Sequence, residues 1–401
     1  MGLSSLNPWR GLRGLPSDVW IVFATTLVNR AGTMVLPFLV LYLTHLGYPA
    51  ATAGFALTAY GFGGLVSAPA SGWLSDRVGG LRVMQASLFL SGALLLLLPM
   101  VRALPLVFGL IVAWSVVAEA VRPASLAAIM AATPAAHRKA AIALNRLAIN
   151  LGMSVGPAVG GFLAVASFPL LFVVDGVTSV AAALLLTAVL WKRARPAPEA
   201  VPTVHGPSSG VLRHPRMLAF LLGMFLIGSV FLQNDAAFPL FLVRDLGLPA
   251  SFFGLTFVLN AALIIVLEVP LNLATAHWTH RRALVLGALL LAAGFGGLAL
   301  TSGRLSVAVT VVAFTFGEMI LFPVSAAYVA ELAPPDRRGA YVGAYWMVFG
   351  LAMMVGPWAG TVFMERFGAT ALWTAVGACG VCAAAVLWVV ATRPAIQPAR
   401  P

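Results

Sequence analysis

The sequence predicts an all-α membrane protein of twelve transmembrane helices, arranged as two parallel six-helix repeats around a central cavity. Three observations carry that expectation. Of 401 residues, 61% are hydrophobic and 9% charged, against about 25% charged in a soluble domain, so water is not the main solvent. Apolar runs recur along almost the whole length, each close to the roughly 20 residues that cross a hydrocarbon core. An offset of 200 positions superposes Gly47 on Gly247, Pro49 on Pro249, Gly54 on Gly254, Pro123 on Pro323, Pro134 on Pro334 and the Gly156-Pro157 pair on Gly356-Pro357. One offset held through so many turn and kink residues marks a duplication. Six spans return the chain to its starting side, so the repeat is parallel, a geometry that places a substrate site at the midplane between the halves.

The first half spans the membrane at 18–44, 52–74, 83–101, 105–131, 140–165 and 169–190. Span 1 carries Asn29 and Arg30 deep among apolar residues. It is too long for the core of a secretory leader, and its exit "THLGYPA" lacks a cleavage site, so it stays as a membrane span. Span 2 runs into "GWLSDRVGGLRVM", Gly72 to Met84. There Asp76 and Arg77 open a tight turn that Gly79 permits. They either pair with neighbouring helix ends and lock one side shut, or anchor the loop at the headgroups. Span 4 holds Glu119 and Arg122, three residues apart and on one face. Ionisable groups at such depth are costly unless paired or wet, and mark functional positions. Paired, Glu119 and an arginine would form a site where a proton and a substrate compete.

Span 5 contains "GMSVGPAVGG". Gly152, Gly156 and Gly160 recur every fourth residue, with Gly161 beside them, giving a smooth face for close helix approach. Pro157 removes a backbone hydrogen bond and bends the helix. The opposite stripe, Arg146, Asn150 and Ser154, is polar and expected to face the cavity, although Arg146 can equally snorkel to the interface. Asp175 in span 6 reads as a capping or structural acid rather than a coupling one.

Trp191 to Arg216, rich in Pro, Gly, Ser and basic residues, reads as a cytoplasmic linker. The expected domains are 1–190, a linker over 191–214, and 215–401. Spans follow at 215–243, 250–273, 284–302, 304–332, 340–363 and 370–391. Asp235 lies in span 7 and Glu318 in span 10. Glu268 in span 8 continues a stripe with Thr256 and Asn260 and reads as a gate residue near the boundary that Pro270 marks. Phe314, Phe322, Tyr345, Trp346 and Met354 offer an apolar substrate surface, or ordinary packing. Cys379 and Cys382 have the C-x-x-C spacing of redox and metal sites, but lie in an apolar span where packing explains them. The sequence has no P-loop cradle, nucleophile elbow or His-Glu metal spacing, so neither an enzyme nor a cofactor nor a metal is expected.

Seventeen of the 24 Lys and Arg residues fall in connectors and termini on one side, and four on the other. Basic residues of short loops are retained in the cytoplasm, so both termini are expected there. The net charge of +12 is spread over these connectors with no soluble basic domain, which argues against nucleic acid as a partner. A multi-pass protein of the cell membrane is expected, the inner membrane in a Gram-negative source.

The loop "GWLSDRVGGLRVM" resembles the signature of the major facilitator superfamily at Gly72, Leu74, Asp76, Arg77, Gly79 and Arg82. The second-half copy, "NLATAHWTHRRALVL", has Ala276 and His277 where Asp and Arg would stand. "GMSVGPAVGG" resembles the antiporter signature of drug:proton exporters in that superfamily. The resemblance implies that spans 1, 4, 7 and 10 line the cavity. Arg30, Glu119, Arg122, Asp235 and Glu318, with Asn29 and Asn150, are then the proton-coupling or substrate-binding residues. Asp76, Arg77, Gly79, Gly152, Gly156, Pro157, Gly160, Gly161 and Glu268 are the gating ones, with Asp76 holding the outward-facing state. It further implies a monomeric antiporter, driven by the proton gradient with no cofactor, that exports a small amphipathic organic compound. Span 1, "LVNRAGTMVLPFLVLYLTHLG", is also similar to proton-coupled peptide transporters, which carry E-x-x-E-R; Arg30 fits, while Thr26 and Asn29 occupy the acidic positions. Proton-coupled uptake of a peptide-like or other polar nutrient is therefore the alternative, and a non-transporting membrane receptor a third reading.

Overall fold

The computed structural model describes residues 15–134, 137–190, 213–334 and 337–391. The basic residues Arg10, Arg13, Lys192, Arg193, Arg195, Arg393 and Arg400, and nearly all of the expected linker, lie outside the described residues. Every regular element among the described residues is helical. The first span is split into α1 (Ser17–Gly32) and α2 (Val35–His45). It is followed by α3 (Ala50–Val78), α4 (Gly80–Leu97), α5 (Leu104–Ala132), α6 (Arg138–Ala166) and α7 (Phe168–Leu190). The seventh span is also split: α8 (Pro215–Phe231), a 3-10 turn (Leu232–Asp235), α9 (Ala237–Leu240) and a π turn (Phe241–Asp245). Then come α10 (Ala250–Thr275), α11 (His280–Gly297), α12 (Arg304–Leu332), α13 (Arg338–Phe367) and α14 (Ala369–Val390).

Eleven spans among the described residues are long and apolar enough to cross a membrane. The remaining one, α3, has 29 residues, about 44 Å at 1.5 Å per residue, so length does not exclude it. Pro69, Pro123, Pro157, Pro270, Pro323 and Pro357 all sit inside continuous helices. Membrane helices tolerate such prolines because neighbouring helices can re-satisfy the freed carbonyls. The turn between α3 and α4 is one residue, Gly79, whose φ of 91° suits glycine alone.

The chain divides into two compact units, Met1–Leu36 with Phe62–Pro202, and Pro37–Gly61 with Thr203–Pro401. In the first, α1 packs on α6 and α7, and α4 on α5 and α7. Val22, Met84, Leu88, Val121, Leu144 and Leu186 belong to its buried core. Lipid tails are as apolar as these side chains, so close packing and interhelical hydrogen bonds hold the bundle. Trp114 Nε1 donates to Ser91 Oγ at 3.1 Å, Ser71 Oγ to the Ala120 carbonyl at 2.9 Å, and Gln85 Nε2 to Thr187 Oγ1 at 2.6 Å.

In the second unit, α11 packs on α12 and α14, and α8 on α13 and α14. Phe295 stacks on Phe314 with centroids 4.7 Å apart, and the fully buried Trp373 meets Phe238 and Phe241 edge-on. The segment Pro37–Gly61 joins this unit through small-residue contacts with α13: Gly54 against Thr361, Gly61 against Met354, and Thr58 Oγ1 donating to the Met354 carbonyl.

Candidate functional site

In the first unit Asn29, Arg30, Gly152 and Gly156, of the predicted site residues, gather at the break in span 1. Gly32 ends α1, Thr33 is extended with φ −69° and ψ 97°, and α2 restarts at Val35. The local cause is Pro37 in the first turn of α2, which has no N–H to give to the Thr33 carbonyl. The sequence alone reads this stretch as one continuous span; the structure corrects that. A restarted helix leaves donors without partners, and here a neighbouring helix supplies the acceptor. Asp175 Oδ2 on α7 accepts from both Met34 N and Val35 N at 3.1 Å. Asp175 is 3% exposed. The capping role expected for Asp175 is what the geometry shows.

The glycine face of α6 is seated on the same break. A Cβ at Gly152 would overlap Arg30 Cβ and fall 2.8 Å from Ala31 N, and one at Gly156 would overlap the Thr33 oxygen and fall 3.1 Å from the Arg30 oxygen. Gly160, Gly161 and Pro157 are buried on the same helix. On the other side Gly32 lies against Thr178 of α7. Asn29 Nδ2 donates to Ser179 Oγ and Thr26 Oγ1 to Asn145 Oδ1, both at 3.1 Å. Arg146 and Asn150 are exposed on α6, away from the buried glycines. Glu119 on α5 faces α3, its Cγ 3.5 Å from where a Gly64 Cβ would stand. Arg122 lies one helical turn further along α5. Asp76 and Arg77 are exposed at the end of α3, with Arg77 stacked 3.9 Å over the Trp73 ring.

The second unit repeats the motif with different chemistry. Its seventh span breaks at Leu232–Asp235, where Gln233 takes the place that Thr33 holds in the first half. Gln233 Nε2 donates to the Gly356 carbonyl at 2.7 Å and to the Ser229 carbonyl at 3.2 Å. Gly356 approaches Ser229 so closely that an added Cβ would be 3.0 Å from its Cα. Asp235 accepts from Asn234 at 3.4 Å. Glu318 of α12 is held from α10: Asn260 Nδ2 donates to Glu318 Oε2 at 3.0 Å and to Thr315 Oγ1 at 2.9 Å. Asn260, Thr315 and Glu318 thus form one polar cluster, chemistry suited to a proton or a cation. Glu268 lies two turns along α10 from Asn260. Cys379 Sγ lies 4.0 Å from the Leu226 carbonyl, and Cys382 is exposed.

Ser179, Asn145, Thr178 and Gln233 were not legible as site residues. Gln233 alone carried a signal, as part of the polar run "LQND" inside an apolar span.

Known proteins agree with this architecture. The profile of the Major Facilitator Superfamily matches residues 21–241 and 234–401. The uncharacterised MFS-type transporter YqjV of Bacillus subtilis (strain 168) is 26% identical over 373 residues, covering 91% of this chain and 90% of the relative. A Na(+), Li(+), K(+)/H(+) antiporter of Planococcus maritimus is 23% identical over 363 residues, covering 82% of this chain and 85% of the relative. Among solved structures, the nucleoside transporter NupG superposes with a TM-score of 0.80 at 11% identity, covering 93% of this chain and 99% of that one. The peptide transporter POT superposes with a TM-score of 0.78 at 17% identity, covering 95% and 96%. Fold, span pattern and matched residues agree, and the chain belongs to the major facilitator superfamily.

Proposed function

We propose that this transporter is a proton-coupled antiporter that exports a small amphipathic organic compound by alternating access. The observation that carries the reading is the seating of Gly152 and Gly156, at the centre of "GMSVGPAVGG", directly on the backbone of the span 1 break. That contact makes the antiporter-like stretch a bearing against which span 1 can shift, because no side chain interlocks the two helices there. Glu119 is the proton carrier in this reading, with Arg30 and Arg122 as the cations that compete with the proton. Glu318, Glu268 and Asp235 are the acids of the second half, and Asp76 with Arg77 the gate at the end of α3. Named as it is, the relative from Planococcus maritimus favours antiport and adds Na+, Li+ and K+ to the substrates worth testing.

The peptide-uptake alternative is weaker on the geometry. Its two acidic positions are Thr26 and Asn29, and both are buried and hydrogen-bonded, to α6 and α7 respectively, which favours a structural role for them over an acidic one.

The test is proton flux in liposomes containing the purified chain, under an imposed pH gradient, screened over cationic, anionic and zwitterionic compounds with alkali cations as a separate arm. Substrate-induced proton movement opposite to the substrate supports the proposal. Movement in the same direction replaces antiport with symport, and no flux with any class would leave the receptor reading.

A further inference from the structure

The second copy of the loop signature, Asn272 to Leu286, has lost its acid and carries an arginine pair, Arg281 beside the Arg282 that matches Arg82, and transport as proposed above gives that pair no role. Thr279 caps α11, its Oγ1 accepting from Arg282 N at 3.3 Å. Arg281 and Arg282 therefore stand in the first turn of an 18-residue helix whose first turn holds no acid. A helix N-terminus is positive, and cations there are unfavourable. An anion beside two adjacent guanidinium groups at such an end offsets that cost.

Among the described residues no carboxylate pairs with either arginine. The nearby Glu331 is engaged by His280, at 3.4 Å from Nε2. Each arginine instead stacks on an indole: Arg281 Cζ lies 3.2 Å from the Trp388 ring centroid and Arg282 Cζ 4.3 Å from that of Trp278. A stacked guanidinium keeps its in-plane N–H groups for an oxyanion, in the fork geometry that suits phosphate. Arg281 Nε is buried with no hydrogen-bond partner among the described residues.

A groove of about 480 Å³ opens at this point, with Thr279, Arg281 and Arg282 at one end and Val285, Leu286, Leu289 and Trp388 along it. Leu286, Leu289 and Trp388 are 36%, 40% and 52% exposed. The cationic end lies at the loop, and the apolar floor climbs α11 into the span. At the 200-residue offset the first half has Leu81 for Arg281 and Val78 for Trp278, so the feature belongs to the second unit alone.

We propose that this groove binds the phosphate of an anionic phospholipid through Thr279, Arg281 and Arg282, with an acyl chain lying on Val285, Leu286 and Leu289 against Trp388. A free phosphate ion shares the headgroup chemistry but leaves the apolar floor uncovered.

Native mass spectrometry of the detergent-purified full chain tests this, with dioleoylphosphatidylglycerol as the ligand, dioleoylphosphatidylcholine as the zwitterionic arm and inorganic phosphate as competitor. One phosphatidylglycerol adduct is expected. In Arg281→Gln/Arg282→Gln its affinity should fall about thirty-fold, from about 1 kcal/mol per basic residue at an anionic headgroup. Trp388→Leu keeps both charges and removes the stacking platform; it should weaken the adduct about threefold, and serves if the double variant does not purify folded. Unchanged phosphatidylglycerol affinity in these variants overturns the proposal, as does equal affinity for phosphatidylcholine. Displacement of the lipid by millimolar inorganic phosphate would assign a soluble anion and overturn the lipid.

Discussion

In Gly156→Ala the added Cβ has no free space: it overlaps the Thr33 carbonyl oxygen and lies 3.1 Å from the Arg30 oxygen. Both obstacles are backbone atoms, so no rotamer change relieves the overlap, and α6 must retreat from the span 1 break. Overpacking of this kind costs about 1–3 kcal/mol. A transporter cycles between states separated by a few kcal/mol, and a penalty of about 2 kcal/mol confined to one packing shifts their populations about thirty-fold. Transport turnover is therefore expected to fall at least tenfold while the protein still reaches the membrane. Gly156→Leu, with three further carbons to place, should lose transport altogether. The assay compares initial substrate-driven proton flux per folded protein, with folding read from size-exclusion profiles and thermal melting in detergent. Val155→Leu, at a neighbouring position 47% exposed, is the control and should behave as wild type. Wild-type turnover and melting in Gly156→Ala would refute the claim that this contact is a working surface.

Glu119→Gln should abolish transport driven by a pH gradient while substrate counterflow remains measurable; full gradient-driven transport in this variant would move the coupling role to Glu318 or Asp235. Asp76→Asn should raise labelling of engineered cysteines from the cytoplasmic side by weakening the gate, whereas unchanged labelling would reduce Asp76 to a headgroup anchor. Asp175→Ala leaves two buried N–H groups, of Met34 and Val35, without an acceptor. A loss of about 1–3 kcal/mol per unsatisfied group is expected, read as a fall of several degrees in melting temperature. Asp175→Asn, which keeps an acceptor oxygen, should recover most of it, and equal melting of both variants would dismiss the cap.

The glycine stripe of α6 was legible because its period of four places Gly152, Gly156 and Gly160 on one face whatever the surroundings, and a stripe without side chains has few uses other than close approach. What it approaches was not legible. Span 1 reads as an unbroken apolar run, and only the packing of α6 and α7 shows why a break survives there: Asp175 supplies the acceptor that Met34 and Val35 lose. In the same way Asp235 marked span 7 by its depth, but nothing in the sequence told that Gln233 would staple the Gly356 carbonyl. Glu318 stood out by depth alone, whereas its partner Asn260 comes from a helix 58 residues away in sequence.

Composition, span spacing and the 200-residue repeat by themselves determined the solvent and the helical class, and the loop motif Gly72 to Met84 carried the family resemblance that the superfamily profile bears out, because each is a property of residue types and intervals along one chain. Tertiary structure decided which polar groups meet and how the broken spans are held. Helical periodicity tells which face of a helix is small, apolar or charged, but carries no information on the face opposite. The Asn29–Ser179 bond closes over 150 residues and the Asp175–Met34 bond over 141, and such partners are chosen by how helices pack.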